Sequence, residues 1–304
     1  MSRQIPLINR YDEAVELLPY NLRAPARLID EADKAAAEEF RFRMGQSPAI
    51  VLPEGERPFA TGQVTAKELT AVLEIASAVS AHAVRDSMKR GYITAKGGFR
   101  VGLGGQTVIR DGEVSGFLHL SSAAIRVTKE IPGVADSFLP QLKDQGVLQS
   151  TLILSPPGGG KTTVLRDLIR RCSHDGQRVA VADERGELAA LRDGAPQMDV
   201  GPRTDVLTGC PKAEAVLMLL RAMNPEIIAM DEITAPADTG ALEHAANCGV
   251  TLLATAHGQG LEDLKRKPMY RRLFRKGLFQ RLLVVTKGPA GRSYIVTEMG
   301  EQLC

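Results

Sequence analysis

Hydrophobic and polar positions fall into two regimes along the chain. Up to about residue 125 helical and β patterns are mixed. Residues 11–22 carry Ala14, Val15, Leu17 and Leu18 before Pro19, which predicts a short helix stopped by the proline. Residues 24–35 continue with Leu28, Ile29 and an alanine-rich stretch. Glu39 to Gly45 alternates apolar and charged residues, as a half-buried strand does, and Pro48 to Leu52 reads as a second strand. Leu69, Val72, Leu73, Ala76, Val79 and Ala83 have helical spacing, so a helix is expected over 64–84. Strands then follow at 91–94, 99–103, 106–109 and 123–128. Gly97-Gly98, Gly104-Gly105 and Asp111-Gly112 are read as turns between them, and Gly102-Leu-Gly104 as a turn rather than a dinucleotide fingerprint.

From Ser150 the pattern becomes a regular alternation of strand and helix, which implies a mostly parallel sheet with crossover helices. Strands are predicted at 151–155, 178–183, 227–231 and 250–255, and helices near 161–173, 212–223, 236–247 and 261–275. Two late strands at 282–286 and 294–297 flank Gly288-Pro289. The expected organisation is an α+β N-terminal domain (1–125), a linker (126–149) rich in turn signals, and a RecA-like phosphate-loop domain (150–304) of the α/β class.

The second domain is organised around Ser155-Pro156-Pro157-Gly158-Gly159-Gly160-Lys161-Thr162-Thr163. An apolar strand precedes it and a helical pattern follows, the context a phosphate-binding loop requires. Glycines let backbone N–H groups curl around phosphate oxygens, and the helix start adds its positive end. Lys161 would reach the β- and γ-phosphates of ATP, and the Thr162 hydroxyl would ligate Mg²⁺. Ser155 departs from the pattern by standing where its first glycine belongs.

Three further strands end in chemistry. Ile227 to Met230 runs into Asp231-Glu232. Asp231 is read as the Mg²⁺ carboxylate, on a strand beside that of the loop, and Glu232 as the group that orients or deprotonates the attacking water. Val179 to Ala182 ends in Asp183-Glu184, either of which could serve as an auxiliary acid. Leu252 to Ala254 ends in Thr255-Ala256-His257, where Thr255 or His257 could sense the γ-phosphate. These ends share the carboxyl edge of the sheet, where such folds bind ligands. Lys265 to Arg281 is rich in cations but also carries Leu273, Phe274, Leu278 and Phe279, so it packs as well as facing solvent.

Composition narrows the partners. Aromatics are 4% of 304 residues with no Trp, so stacking platforms for nucleic acid are scarce and a nucleic-acid partner is not expected. Cys172, Cys210, Cys248 and Cys304 have no metal-site spacing and are read as reduced thiols. No apolar run reaches bilayer length and no signal-peptide core is evident, which predicts a cytoplasmic protein.

Gly91-Tyr-Ile-Thr-Ala-Lys-Gly-Gly-Phe-Arg-Val-Gly102, Ile131-Pro-Gly133, the phosphate loop, Val181-Ala-Asp-Glu-Arg185, Met230-Asp-Glu-Ile233 and Ala254-Thr-Ala-His257 together resemble the stage III sporulation protein AA family. That family is similar to type II/IV secretion and pilus-motor ATPases, and the resemblance covers nearly the whole chain. It implies a homo-oligomeric, hexameric ring ATPase, peripheral on the inner face of a membrane in the mother cell. Its partners would be membrane proteins of a secretion-like complex for endospore formation. By the same resemblance Glu184 and His257 correspond to acidic and histidine boxes. Arg100 and Arg126, with Arg203 as a third choice, are candidates for an arginine that approaches a nucleotide. The competing readings are a nucleic-acid-binding ATPase and an ATP switch that does not turn over.

Overall fold

In a computed structural model the described residues are 7–77, 91–110, 112–127, 130–191, 194–288 and 291–299. They form two compact units that divide between Glu130 and Ile131.

The first unit contains α1 (Leu7–Val15), α2 (Tyr20–Arg27), α3 (Glu31–Ala36), α4 (Ala66–Ser77) and six strands. These are β1 (Glu39–Arg43), β2 (Ala49–Leu52), β3 (Gly55–Pro58), β4 (Tyr92–Thr94), β5 (Arg100–Arg110) and β6 (Glu113–Arg126). They make one antiparallel sheet in the order β3-β2-β1-β6-β5-β4. The alternation read from β1 is real: Phe40 and Phe42 are buried while Arg41 and Arg43 are not. Phe40 packs on Tyr11 and Phe59 with ring centroids 5.3 and 5.4 Å apart, and the buried Tyr11 hydroxyl donates to the Ala26 carbonyl at 2.9 Å.

Three expectations are corrected here. Pro19 does not simply stop a helix over 11–22. It stands at the N-cap of α2, where its missing N–H costs nothing, so the run splits into α1 and α2. Gly104-Gly105 is not a turn, and Gly102-Leu-Gly104 is not one either: β5 runs through both and the register shifts at Gly104/Gly105 as a bulge. A Cβ at Gly105 would fall 2.1 Å from the His119 carbonyl oxygen on β6. The glycines therefore mark close strand approach. The helix expected over 64–84 begins only at Ala66, because Val64 bridges to Met44 instead, and is seen to Ser77; residues 78–84 lie outside the described residues.

The second unit begins with the stretch expected to be a linker. From Ile131 on, that stretch folds onto the unit: Phe138, Leu139, Leu142 and Leu148 are buried in its core. Asp167 fastens it by accepting from the N–H groups of Gly133 (3.1 Å) and Ala135 (2.8 Å). A short hairpin, β7 (Lys143–Asp144) and β8 (Val147–Leu148), leads into the main sheet. That sheet has seven strands: β9 (Thr151–Ser155), β10 (Val179–Asp183), β11 (Thr204–Thr208), β12 (Ile227–Met230), β13 (Thr251–His257), β14 (Arg281–Gly288) and β15 (Gly291–Glu298). The order is β11-β10-β12-β13-β9-β14-β15, parallel except for β15.

Side chains alternate between the two faces, so each strand feeds two cores. Leu152, Leu154, Ile228, Met230 and Leu252 pack beneath α6 (Lys212–Met223), α7 (Pro236–Asn247), α8 (Leu261–Arg266) and α9 (Pro268–Arg275). Ile153, Val181, Ile227 and Leu253 face α5 (Lys161–His174) and the 131–148 segment. The cationic run divides as α9: Tyr270, Leu273 and Phe274 are buried, while Arg271, Arg272 and Arg275 are exposed. Among the described residues no helix is long and apolar enough to cross a membrane.

Candidate functional site

Parallel strands bring the ends of β9, β10, β12 and β13 to one edge, and the residues singled out by sequence collect there. The order corrects one expectation. The strand of Asp231 does not lie beside the strand of the loop, because β13 is inserted between them. Thr255 and His257 consequently stand between the loop and the two acids.

The loop leaves β9 at Ser155 and reaches α5 through Gly160. Gly158 (φ 72) and Gly160 (φ 101) occupy left-handed backbone, which favours glycine. A Cβ at Gly159 would fall 1.8 Å from Ser155 Oγ, so no side chain fits that position. Ser155 is fully buried and its hydroxyl donates to the Pro156 carbonyl at 3.1 Å. On the flank, Arg292 of β15 donates through Nε to the Gly159 carbonyl at 3.1 Å, a contact that sequence reasoning missed.

Lys161 is 8% exposed. Its Nζ lies 3.1 and 3.0 Å from the two ring nitrogens of His257, so its bonding partner is an imidazole and not a carboxylate. Burial lowers the lysine's pKa, partly offset by Asp231, Glu232 and Glu187. A buried ammonium with no bonded anion among the described residues, beside a glycine cradle, is a fit for a polyphosphate.

Asp231 and Glu232 are held by hydroxyls. Thr162 Oγ1 donates to Asp231 Oδ2 at 3.0 Å, and Thr255 Oγ1 donates to Asp231 Oδ1 at 2.7 Å. Thr255 Oγ1 also accepts the Glu232 N–H at 2.8 Å. The Thr255 hydroxyl is thus committed between the two acids, and its reading as a γ-phosphate sensor is replaced by this role. The Glu232 carboxylate lies 3.4 Å from His257 Nε2 through Oε1 and 3.4 Å from Arg185 through Oε2. His257 therefore bridges Lys161 and Glu232, a link no linear motif displays. Among the described residues no group of three or more His, Cys, Asp or Glu side chains could hold a metal ion. A hydroxyl and a carboxylate 3.0 Å apart nevertheless suit Mg²⁺, which takes few protein ligands beside phosphate oxygens and waters.

The β10 pair separates. Asp183 is 1% exposed and accepts from the amides of Glu187 (2.8 Å), Leu188 (3.1 Å) and Ala189 (2.9 Å). Burial raises its pKa against these hydrogen bonds. Through these bonds it shapes the following loop. Glu184 sits 3.8 Å from the Lys212 ammonium. Lys212 is a second residue missed from sequence. A lysine in the first turn of a helix opposes the helix dipole, and that mismatch was the available signal.

The candidate arginines are carried by neither the loop nor these strand ends. Arg203 precedes β11 at the amino edge of the sheet and donates to the Gly176 carbonyl at 2.9 Å. Arg100 and Arg126 belong to the first unit. Arg100 stands 3.8 Å over the Tyr92 ring, and Arg126 is exposed at the end of β6.

The sheet order and the loop define a RecA-like phosphate-loop domain, the class to which secretion and pilus ATPases belong. The ATPase DotB of Yersinia pseudotuberculosis aligns with a TM-score of 0.62 at 13% identity, covering 94% of this chain and 81% of that one. The pilus retraction motor PilT, solved with bound ADP, aligns with a TM-score of 0.57 at 17% identity, covering 86% of this chain and 79% of that one. At such identities the likeness is one of fold. Sequence goes further: the profile of the family "Sporulation stage III, protein AA" matches residues 9–303. Stage III sporulation protein AA of Bacillus subtilis (strain 168) is 36% identical over 299 residues, 96% of this chain and 97% of that protein. The chain belongs to the sporulation stage III protein AA family.

Proposed function

We propose that this chain is an ATP-hydrolysing motor that works as a homo-oligomeric, hexameric ring. It energises assembly of, or transport through, a membrane complex needed for endospore formation. The observation that carries the reading is the chain Thr162–Asp231–Thr255–Glu232 at the mouth of a glycine cradle.

When bound, Mg²⁺–ATP supplies the phosphoanhydride that is cleaved. The loop residues Ser155 to Thr163 shape the cradle, and Lys161 brings a full positive charge to the β- and γ-phosphates. Thr162 and Asp231 are the residues that would hold Mg²⁺. Glu232 takes a proton from the attacking water at its carboxylate, and a switch without turnover would not need a general base there. His257, in contact with both Lys161 and Glu232, reports at one what occupies the other. Glu184 stands at the rim through its ion pair with Lys212. Arg126 or Arg100 of a neighbouring copy offsets charge that develops during transfer.

The test is to size the full chain by light scattering with and without ATP while phosphate release is measured. The reading expects a ring and Mg²⁺-dependent release. A monomer that binds ATP and never releases phosphate, even with its membrane partners, would sink it.

A further inference from the structure

Glu232 is one of four non-glycine residues with left-handed backbone among the described residues, at φ 53. A glutamate has no short side chain to stabilise that conformation locally, so something outside the residue holds it. Two side chains from other elements take both of its backbone polar groups. Its N–H donates to Thr255 Oγ1 on β13 at 2.8 Å, and its carbonyl accepts from Lys212 Nζ at the start of α6. Lys212 is buried, with its side chain 7% exposed. Its ammonium also donates to Thr234 Oγ1 at 3.0 Å, with Asp238 Oδ2 3.7 Å and Glu184 Oε2 3.8 Å away. Burying an ammonium is costly unless it is paired, and helix propensity gives no reason for a lysine here. Three of the partners give the reason: the Glu232 carbonyl and Thr234 belong to the turn that carries Glu232, and Asp238 to the start of α7 just after it.

We propose that Lys212 is a positioning residue for Glu232: its ammonium holds the Glu232 carbonyl, fixes the left-handed turn, and so aims the Glu232 carboxylate toward His257 and the phosphate loop. The proposal rests on the reading of Glu232 as the general base. Lys212 itself touches no reacting atom. Its loss lets the turn relax and moves the carboxylate, and a displacement of about 1 Å in a positioned group can cost about 10²-fold in rate.

The test compares Lys212→Met, Glu232→Gln and the double variant in the full chain, reading Mg²⁺–ATP affinity by calorimetry and kcat and KM by phosphate release. Lys212→Met should bind ATP within about threefold of the parent, keep KM, and lose about 10²-fold in kcat. The double variant should be no slower than the slower single variant, because the two residues act as a unit. Parental kcat in Lys212→Met, or losses that multiply in the double variant, would overturn the proposal. Parental turnover in Glu232→Gln would instead remove the general-base reading on which it stands. If Lys212→Met does not fold, Thr234→Val removes the second acceptor without burying a new charge. It should lower kcat severalfold at unchanged affinity, and parental kcat there overturns the proposal equally.

Discussion

Thr255→Val isolates the hydroxyl that joins the two acids. The side chain is fully buried, and valine keeps its branching while putting a methyl group where the hydroxyl was. Two bonds disappear together: the donation to Asp231 Oδ1 at 2.7 Å and the acceptance of the Glu232 N–H at 2.8 Å. A hydrogen bond to a charged group contributes about 1.5–3 kcal/mol, and a buried donor left unsatisfied costs about 1–3 kcal/mol. Because Asp231 keeps its bond from Thr162, we take the lower half of that combined range, about 3 kcal/mol. That corresponds to roughly 100-fold in a local opening equilibrium. The assay is residue-resolved hydrogen exchange at the Glu232 amide, beside phosphate release. Protection of that amide should fall about 100-fold in Thr255→Val, turnover should fall with it, and Thr255→Ser should retain both. An amide that exchanges within threefold of the parent, with turnover unchanged, would refute the claim that Thr255 couples the acids.

Lys161→Ala should abolish measurable ATP affinity in calorimetry while the melting curve persists, because the residue carries the loop's charge. Gly159→Ala should also lose ATP binding, since its Cβ would fall 1.8 Å from Ser155 Oγ; Ser155→Gly in the same chain should recover part of it. Asp183→Ala should destabilise the chain by about 3 kcal/mol in urea titration by stranding the amides it holds. The Asp183 pKa is raised above its ordinary 3.8, so the folded state holds that proton more tightly. The stabilisation that comes from holding that proton is present at acid pH and is lost as pH rises through the raised value, and Asp183→Asn should remove that fall. Arg126→Ala or Arg100→Ala, mixed with Lys161→Ala subunits, should regain phosphate release if that arginine acts across a subunit boundary.

Contiguous motifs were legible in the sequence. The loop, the acids after Met230 and the Thr255–His257 strand end are each a short run whose strand places it at the carboxyl edge. What joins the runs was not legible, because strand order is a long-range property. Nothing near Asp231 says that β13 separates its strand from β9, and that insertion is what puts Thr255 against Asp231 and His257 against Lys161. Glycine pairs were read as turns where the close approach of β5 and β6 makes them a bulge. Residues 126–149 read as a linker because Ile131-Pro-Gly133 and Gln145-Gly146 break any period. Even so, Phe138, Leu139 and Leu142 supply enough apolar surface to fasten the stretch to the second unit. β11 was missed because Asp205 interrupts a short, half-exposed strand whose pairing to β10 is not local.

The central claim is that Glu232 makes this site hydrolytic. It is tested most directly by loading the full chain with γ-labelled ATP and Mg²⁺ and following a single turnover in the parent and in Glu232→Gln. The account predicts equal loading, release of labelled phosphate by the parent, and release slower by about 10²–10⁴ in the variant. Equal release by the two chains, or intact labelled ATP retained by the assembled parent, would contradict it.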